Sequence, residues 1–157
     1  MDKQKIYRAN CNGNTFTIIF HDELSMHIDE SSIKYLCSSS RSNKDDGLLI
    51  INRLDTEYDF IMDYYNNDGT WETMCANGAL CVINLLLTFN HQFNKMKFKA
   101  GDGIHNIKFK NGNIFLGMRK PIFKTNEIKI GTISGSHIDS GANHFVIKSN
   151  IINNDTL

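Results

Sequence analysis

The sequence predicts an α+β fold in which short strands enclose one apolar helix. Turn-forming runs rich in Gly and Asn separate short apolar segments along most of the chain, which is typical of β-hairpins. The run of residues 79–90 is long enough for a helix, and its apolar side chains leave no clean polar face. A helix of that composition is expected to be surrounded by protein.

The amino-terminal segments predict a β-hairpin followed by a short helix. Residues 5–10 and 15–20 are strand-like and flank the turn Cys11-Asn12-Gly13-Asn14, where Asn and Gly tolerate positive φ. Either Ser31 or Ser32 is expected to cap the helix, because a serine hydroxyl can accept a hydrogen bond from a free N–H group of the first turn.

Five further strands are predicted on both sides of the apolar helix. Residues 47–52 form a compact apolar run and residues 58–65 alternate between apolar and polar side chains, so these two segments are expected to pair. Residues 96–100, 104–109 and 114–118 are short strand-like runs. Turns that contain Gly separate these three runs, which predicts consecutive hairpins.

A domain boundary is predicted in the polar stretch at residues 121–131, which holds the only proline. Residues 1–125 are assigned to a first domain and residues 126–157 to the start of an incomplete second domain. Within the latter, residues 137–147 predict two strand pieces around a turn. The second segment is shorter than the ~40 residues below which domains usually need staples, so it is not expected to fold alone.

Composition and charge favour a small-molecule partner. The chain has 157 residues, and 17 basic side chains balance 17 acidic ones, so no net field attracts nucleic acid or an anionic membrane. The amino terminus lacks a signal-peptide pattern, and the longest apolar stretch is shorter than the ~20 residues of a membrane span. The protein is therefore expected to be cytoplasmic, with its four cysteines as free thiols.

Cys75 comes directly before the predicted apolar helix, in the run Met74-Cys75-Ala76-Asn77-Gly78. The first N–H groups of a helix are unpaired and carry partial positive charge. They are expected to stabilise a thiolate, and they can also hold a substrate carboxylate. The alternative is that Cys75 is a small buried apolar side chain, as is predicted for Cys37 and Cys81.

The segment around Cys75 resembles a known signature without gaps. Residues 65–81 read Y-N-N-D-G-T-W-E-T-M-C-A-N-G-A-L-C, which is similar to the diaminopimelate epimerase pattern Y-N-x-D-G-[ST]-x-x-x-M-C-G-N-G-x-R-C. Residues 13–16, 46–49 and 139–146 resemble three other segments of the same family, in the same order. The chain thus resembles the amino-terminal half of that family.

The resemblance implies two similar halves, each a strand-rich barrel around a central helix, with the active site between them. The family interconverts LL- and meso-diaminopimelate, a lysine and peptidoglycan precursor, without pyridoxal phosphate, metal or nucleotide. Two cysteines act as acid and base, and Cys75 matches the first. By position, Asn14 and Asn66 would hold the distal end of the substrate, and Ala76 and Asn77 would receive its α-carboxylate. His144 is left outside the catalytic set.

The chain also departs from the family pattern. The second catalytic cysteine, in an A-C-G-T-G motif, and an E-R-G segment are both absent, so the isolated chain is expected to be inactive. Ala76 replaces a glycine, Leu80 replaces an arginine, and Cys11 and Thr15 replace residues of the first turn. An unfinished second half would expose apolar strand edges, which a homodimer would cover.

Two other functions are compatible with these residues. One is a racemase or isomerase of the same superfamily that acts on another amino acid, such as proline. Asn14 and Asn66 argue against it, since they would serve a polar distal end that proline lacks. The other is a catalytically silent domain, which the changes at Ala76 and Leu80 favour. The histidines show no metal-ligand spacing with the cysteines, so no metal is expected.

Overall fold

A computed structural model describes residues 5–21, 28–38, 44–53 and 57–148 of the chain. The chain divides into two compact units, Met1–Gly117 and Met118–Leu157. The first unit carries all of the candidate site residues that the sequence analysis assigned. Each unit is described by itself.

The first unit is a sheet with two helices. Its elements are β1 (Ile6–Cys11), β2 (Asn14–His21), α1 (Glu30–Ser38), β3 (Gly47–Asn52), β4 (Phe60–Asn66), β5 (Trp71–Glu72), α2 (Ala76–Thr88), β6 (Lys97–Ala100), β7 (Gly103–Lys110) and β8 (Asn113–Leu116). The strand order is β1-β2-β3-β4-β6-β7-β8, with β5 paired to β4. The strands predicted from the sequence are therefore present, with ends that differ by one or two residues.

Both faces of the central strands are buried. Ile18, Leu49 and Ile51 belong to the core cluster that contains α2, whereas Ile19 and Leu48 belong to a second cluster that contains α1. Successive side chains of a strand point to opposite faces, so β2 and β3 supply both clusters. The parallel pairing of β2 with β3 requires a crossover, and α1 lies in that connection.

The predicted hairpins form where Asn and Gly allow positive φ. Asn12 (φ 51°) and Gly13 (φ 90°) make the turn between β1 and β2, and Asn111 (φ 51°) and Gly112 (φ 75°) make the turn between β7 and β8. Two consecutive residues with positive φ are characteristic of the type I′ turns that match strand twist. These two hairpin predictions are confirmed.

The predicted cap of α1 is wrong. Asp29, two residues before Ser31, accepts hydrogen bonds from the Ser32 backbone N–H (2.7 Å) and from the Ser31 hydroxyl (2.8 Å). A carboxylate that precedes the helix satisfies the free N–H of the third helical residue, and it also interacts favourably with the helix dipole. Ser31 and Ser32 therefore lie inside the first turn.

Helix α2 begins earlier than the run 79–90 and ends before Phe89. Its side chains at Ala79, Val82, Ile83 and Leu86 are fully buried, whereas Asn84 and Leu87 are exposed in the described structure. The helix thus buries one broad face against the sheet. Enclosure of α2 on every side remains a prediction.

The second unit holds the strands β9 (Ile122–Ile130), β10 (Ile133–Asp139) and β11 (Asn143–Val146), in the antiparallel order β11-β10-β9. The polar stretch at residues 121–131, predicted to be a boundary, is a continuous strand. Its side chains are mostly exposed, so backbone pairing with β10 rather than apolar alternation defines it. The division between the units falls after Gly117, earlier than the predicted end of the first domain at residue 125.

Neither helix in the described ranges is long and apolar enough to cross a lipid bilayer.

The buried Asp59 carboxylate is expected to hold the loop before β6. It accepts backbone N–H groups of Asn94 (2.9 Å), Lys95 (3.2 Å) and Lys97 (3.4 Å). Asp59→Ala leaves these donors unpaired, so the free energy of unfolding should fall by about 2–4 kcal/mol. Urea denaturation measures the loss. The exposed Asp63→Ala variant is the control and should change stability by less than about 0.5 kcal/mol; equal losses would contradict this role.

Candidate active site

Cys75 is the N-cap of α2. Its backbone is extended (φ −133°, ψ 113°), its carbonyl oxygen accepts the first helical hydrogen bond from Ala79 N–H (2.9 Å), and its Sγ accepts from Gly78 N–H (3.4 Å). A sulfur acceptor at the N-cap takes the place that a hydroxyl or carboxylate oxygen usually occupies. The side chain of Cys75 is therefore directed at the positive end of the helix, as the sequence predicts.

Burial raises the pKa of the Cys75 thiol above its ordinary value, although the backbone N–H groups of Gly78 and Asn77 act in the opposite direction. The negative charges of Cys11 and Asp46 add smaller increases. Desolvation disfavours a thiolate more than two N–H groups favour it. The N–H groups therefore favour the thiolate as predicted, but burial outweighs them, and the neutral thiol predominates near pH 7.

Gly78 allows the helix to start close to the sheet. A Cβ atom there would lie 3.0 Å and 3.2 Å from the two methyl carbons of Leu49, on β3. Those contacts are tighter than normal packing, so a larger residue would require the Leu49 side chain or the helix end to shift. Ala76 and Asn77, the first two residues of α2, are partly exposed beside it.

The Asn77 side chain connects the helix to the first hairpin. Its Nδ2 donates to Asn14 Oδ1 (2.7 Å), and its Oδ1 accepts from Asn12 Nδ2 (3.0 Å). Asn14 begins β2 and Asn12 is in the preceding turn. The structure therefore brings the predicted residues Asn14 and Asn77 into direct contact next to Cys75.

Asn66 lies at the end of β4, and its carboxamide is held on both sides. Its Oδ1 accepts from the Tyr64 hydroxyl (2.8 Å), and its Nδ2 donates to Thr70 Oγ1 (3.1 Å) and Glu72 Oε1 (3.4 Å). The turn between Asn66 and Thr70 is closed by a hydrogen bond from the Asn66 N–H to the Thr70 carbonyl oxygen (2.8 Å). The amide orientation of Asn66 is consequently set by the protein.

Tyr64 links the surroundings of Asn66 to Cys75. Burial, followed by the negative charges of Cys75, Glu72 and Asp46, raises the pKa of Tyr64 to about 12. The phenol is therefore neutral and serves as a hydrogen-bond donor at physiological pH. The electrostatic interaction with Cys75 indicates that Tyr64 and the catalytic candidate lie near each other.

Asp46 joins the loop before β3 to β2. Its carboxylate accepts from Thr15 N–H (2.8 Å), and its carbonyl oxygen accepts from Asn67 N–H (3.0 Å). The turn after Asn66 and the start of β2 are thereby held to one short loop. Asp46 also belongs to the segment 46–49 that carried part of the family resemblance.

Two residues near the candidate thiol were missed by the sequence analysis. Asn12 was read only as a turn residue, because Asn is favoured at positive φ whatever else it does. Tyr64 was read only as part of an alternating strand. His144 is an exposed residue of β11 in the second unit. Within the described ranges no group of three or more His, Cys, Asp or Glu side chains is placed to hold a metal ion.

Comparison with curated proteins identifies relatives of the chain. No protein-family model matches it. The diaminopimelate epimerase of Flavobacterium psychrophilum is 32% identical over 124 residues, which is 78% of this chain and 48% of that protein. The diaminopimelate epimerase of Campylobacter jejuni subsp. doylei is 32% identical over 149 residues, which is 90% of this chain and 56% of that protein. The chain is a homologue of the diaminopimelate epimerases.

Solved structures show the same fold. A hydroxyproline epimerase from Agrobacterium vitis matches with a TM-score of 0.65 and 11% identity, over 90% of this chain and 50% of that one. A PhzF-family phenazine biosynthesis protein of Bacillus anthracis matches with a TM-score of 0.62 and 16% identity, over 94% and 56%. The chain therefore has the strand-rich half-barrel architecture of these proteins. It spans about half the length of the curated epimerases that it matches.

The four thiols of this epimerase homologue are expected to differ in reactivity. Iodoacetamide should alkylate the half-buried Cys75 faster than Cys81, which is 5% exposed and has a pKa raised to about 11 by burial and the neighbouring thiols. The alkylation rate at Cys75 should rise with pH, and the midpoint pH of this rise should be higher than for an unstructured cysteine peptide. Peptide mass spectrometry across a pH series measures both. A midpoint below the peptide value would contradict the effect of burial.

Asn77→Ala is expected to destabilise the fold by about 1–3 kcal/mol, because Asn12 and Asn14 both lose their side-chain partner. Asn84→Ala provides a matched control, since Asn84 is an exposed residue of the same helix. Its free energy of unfolding should stay the same or rise slightly, as alanine favours helix. Urea unfolding of the two variants compares them; an equal effect at both positions would show that the Asn77 contacts contribute nothing.

Proposed function

We propose that this chain forms one half of a diaminopimelate epimerase-type isomerase, with Cys75 as one of its two acid/base thiols. The observation that carries the proposal is the position of Cys75 as the N-cap of α2, with its Sγ directed at the N–H of Gly78. The names of the curated relatives support the substrate class. The site residues Asn14, Asn66, Ala76 and Asn77 are proposed from their motif positions and their grouping around this helix end.

The reaction requires a proton to leave one face of the substrate Cα and another to arrive on the opposite face. The Cα–H is a very weak acid, and the charge of the carbanion spreads onto the adjacent carboxylate, so hydrogen-bond donors to the carboxylate oxygens must stabilise it. One base removes the proton as a thiolate while a second group donates a proton as a thiol. Cys75 supplies one of these, and the partner thiol is absent from this chain.

The start of α2 would receive the substrate α-carboxylate. Backbone N–H groups at a helix N-terminus bind carboxylates with help from the helix dipole. Gly78 N–H contacts Cys75 Sγ and Asn77 N–H interacts with the same sulfur, so the proposed carboxylate donors are Ala76 N–H and an Asn77 N–H that thiol and carboxylate would share. The Asn77 carboxamide is bonded to Asn12 and Asn14, so its contribution to binding would come from the backbone.

The protonation state of Cys75 suits the acid role. Burial keeps it a thiol near neutral pH, so in one direction of the reaction it would deliver its proton to the carbanion. The resulting thiolate would be stabilised by the N–H groups of Gly78 and Asn77, which lower the pKa of this cysteine. The reverse reaction would begin from that thiolate.

Asn14 and Asn66 would hold the distal amino-acid end of diaminopimelate. Both carboxamides are oriented by protein neighbours, Asn14 by Asn77 and Asn66 by Tyr64 and Thr70. Such preorganisation lowers the entropy cost of binding a flexible substrate. The proposal also includes a small amino-acid substrate, a cytoplasmic location and homodimer formation. It includes no cofactor and no nucleic-acid or membrane partner.

A catalytically silent domain is the second candidate function. The raised pKa of Cys75 favours it, because a smaller thiolate fraction near neutral pH slows proton abstraction. Ala76 favours it as well, since its methyl group takes space beside the proposed carboxylate position. The two candidates differ in whether Cys75 responds to the substrate.

The decisive test supplies a carboxy-terminal half in trans. The chain, mixed with the carboxy-terminal half of the Flavobacterium psychrophilum relative, should exchange the α-proton of diaminopimelate in deuterated water, and proline should not exchange. Cys75→Ala should reduce exchange by about 10³-fold or more, while Cys37→Ala, in the other core cluster, should retain it. Mass spectrometry follows deuterium incorporation.

A binding measurement on the chain alone does not require the two halves to assemble. Diaminopimelate should protect Cys75, and not Cys11, from alkylation. If the thiol stays reduced, shows no protection and supports no exchange, the silent-domain function is the correct one.

A further inference from the structure

Three of the four cysteines converge on α2. Cys11, the last residue of β1, belongs to the same hydrophobic cluster as Cys75 and Cys81, whereas Cys37 belongs to the cluster on the opposite face of the sheet. All four are free thiols. The epimerase proposal uses only Cys75, so Cys11 and Cys81 have no role in it.

Cys11 and Cys81 share a cavity of about 460 Å³. Its walls come from three elements, β1, α2 and β8, and the lining includes Ala9, Cys11, Cys81, Leu85 and Ile114. Cys11 is partly exposed, while Cys81 is 5% exposed and lies deeper. A small reagent can therefore reach Cys11 first, with Cys81 behind it.

The two thiols interact directly. Burial, followed by the charges of Cys11 and Cys75 and a side-chain interaction with Cys11, raises the pKa of Cys81 to about 11. Between Cys11 and Cys75 the interaction is only electrostatic, and the Sγ of Cys75 is directed at Gly78 N–H instead. Cys81 is therefore the cysteine best placed to react with Cys11.

We propose that Cys11 and Cys81 form a redox-active pair that closes to a disulfide when the chain meets a peroxide. The cross-link would fasten β1 to α2, two elements that already pack against each other in one core cluster. The proposal does not depend on the epimerase function, since neither thiol serves as its acid or base.

The chemistry balances in two steps. Hydrogen peroxide takes two electrons from the Cys11 sulfur, its O–O bond breaks, and Cys11 becomes a sulfenic acid with release of one water. The Cys81 sulfur then attacks the sulfenic sulfur, the S–S bond forms, and hydroxide leaves and takes up the Cys81 proton as a second water. Proximity offsets the high pKa of Cys81, because the second step is intramolecular.

The experiment maps the thiols of the full chain before and after mild peroxide treatment. The mass of the intact chain should fall by two hydrogen atoms, the number of titratable thiols should drop from the four of the sequence to two, and non-reducing peptide maps should join the Cys11 and Cys81 peptides. Dithiothreitol should reverse all three changes. The oxidised chain should also have a higher Tm, because the cross-link constrains the unfolded state.

Cys11→Ser is the critical variant, since Cys11 is partly exposed and the change is small. It should abolish both the cross-link and the rise in Tm, while Cys37→Ser should cross-link like the wild type. A Cys11–Cys75 disulfide, a disulfide between chains, or oxidation that stops at sulfinic acid would each overturn the proposal. Because the wild-type peptide map needs no variant, a variant that fails to fold leaves the test intact.

Discussion

The hydrogen bonds of the Asn77 carboxamide are the constraint on which the candidate site depends. They join the beginning of α2 to the turn and strand around Asn12 and Asn14. Apolar packing alone would keep the helix near the sheet, but it has no preferred direction. Hydrogen bonds do have one, so they determine where the helix end, and with it Cys75, stands relative to the hairpin.

Behind that contact, the sheet provides a rigid support. β3 is buried on both faces, with Leu49 and Ile51 toward α2 and Leu48 and Ile50 toward α1. The helix end approaches β3 closely because Gly78 has no side chain beside Leu49. The hydrogen bonds of Asn77 and the packing of Gly78 against Leu49 therefore both hold the first turn of α2 in place.

The sequence predicted the features that rest on local chemistry. The two Asn-Gly turns, the buried run of β3 and the helix after Cys75 each follow from a backbone preference or a hydrophobic period. It failed where pairing across the sheet decides the outcome. β9 mixes apolar with polar residues and nearly all of its side chains are exposed, so the sequence predicted a boundary there, whereas pairing with β10 makes it a strand. The contact of Asn12 with Asn77 was also not predicted, because Asn is favoured in turns whether or not its side chain makes such a contact.

The same distinction applies to Cys75. Its place at the helix end could be predicted, because an N-cap is a local feature. Its pKa could not, since burial depends on residues distant in the chain, and here burial outweighs the two N–H groups that stabilise the thiolate. A two-base mechanism needs one thiol and one thiolate at the same time. Under the proposed function, the start of α2 would limit the cost of the charged form of Cys75 without making it the resting form, and Cys75 would begin as the acid.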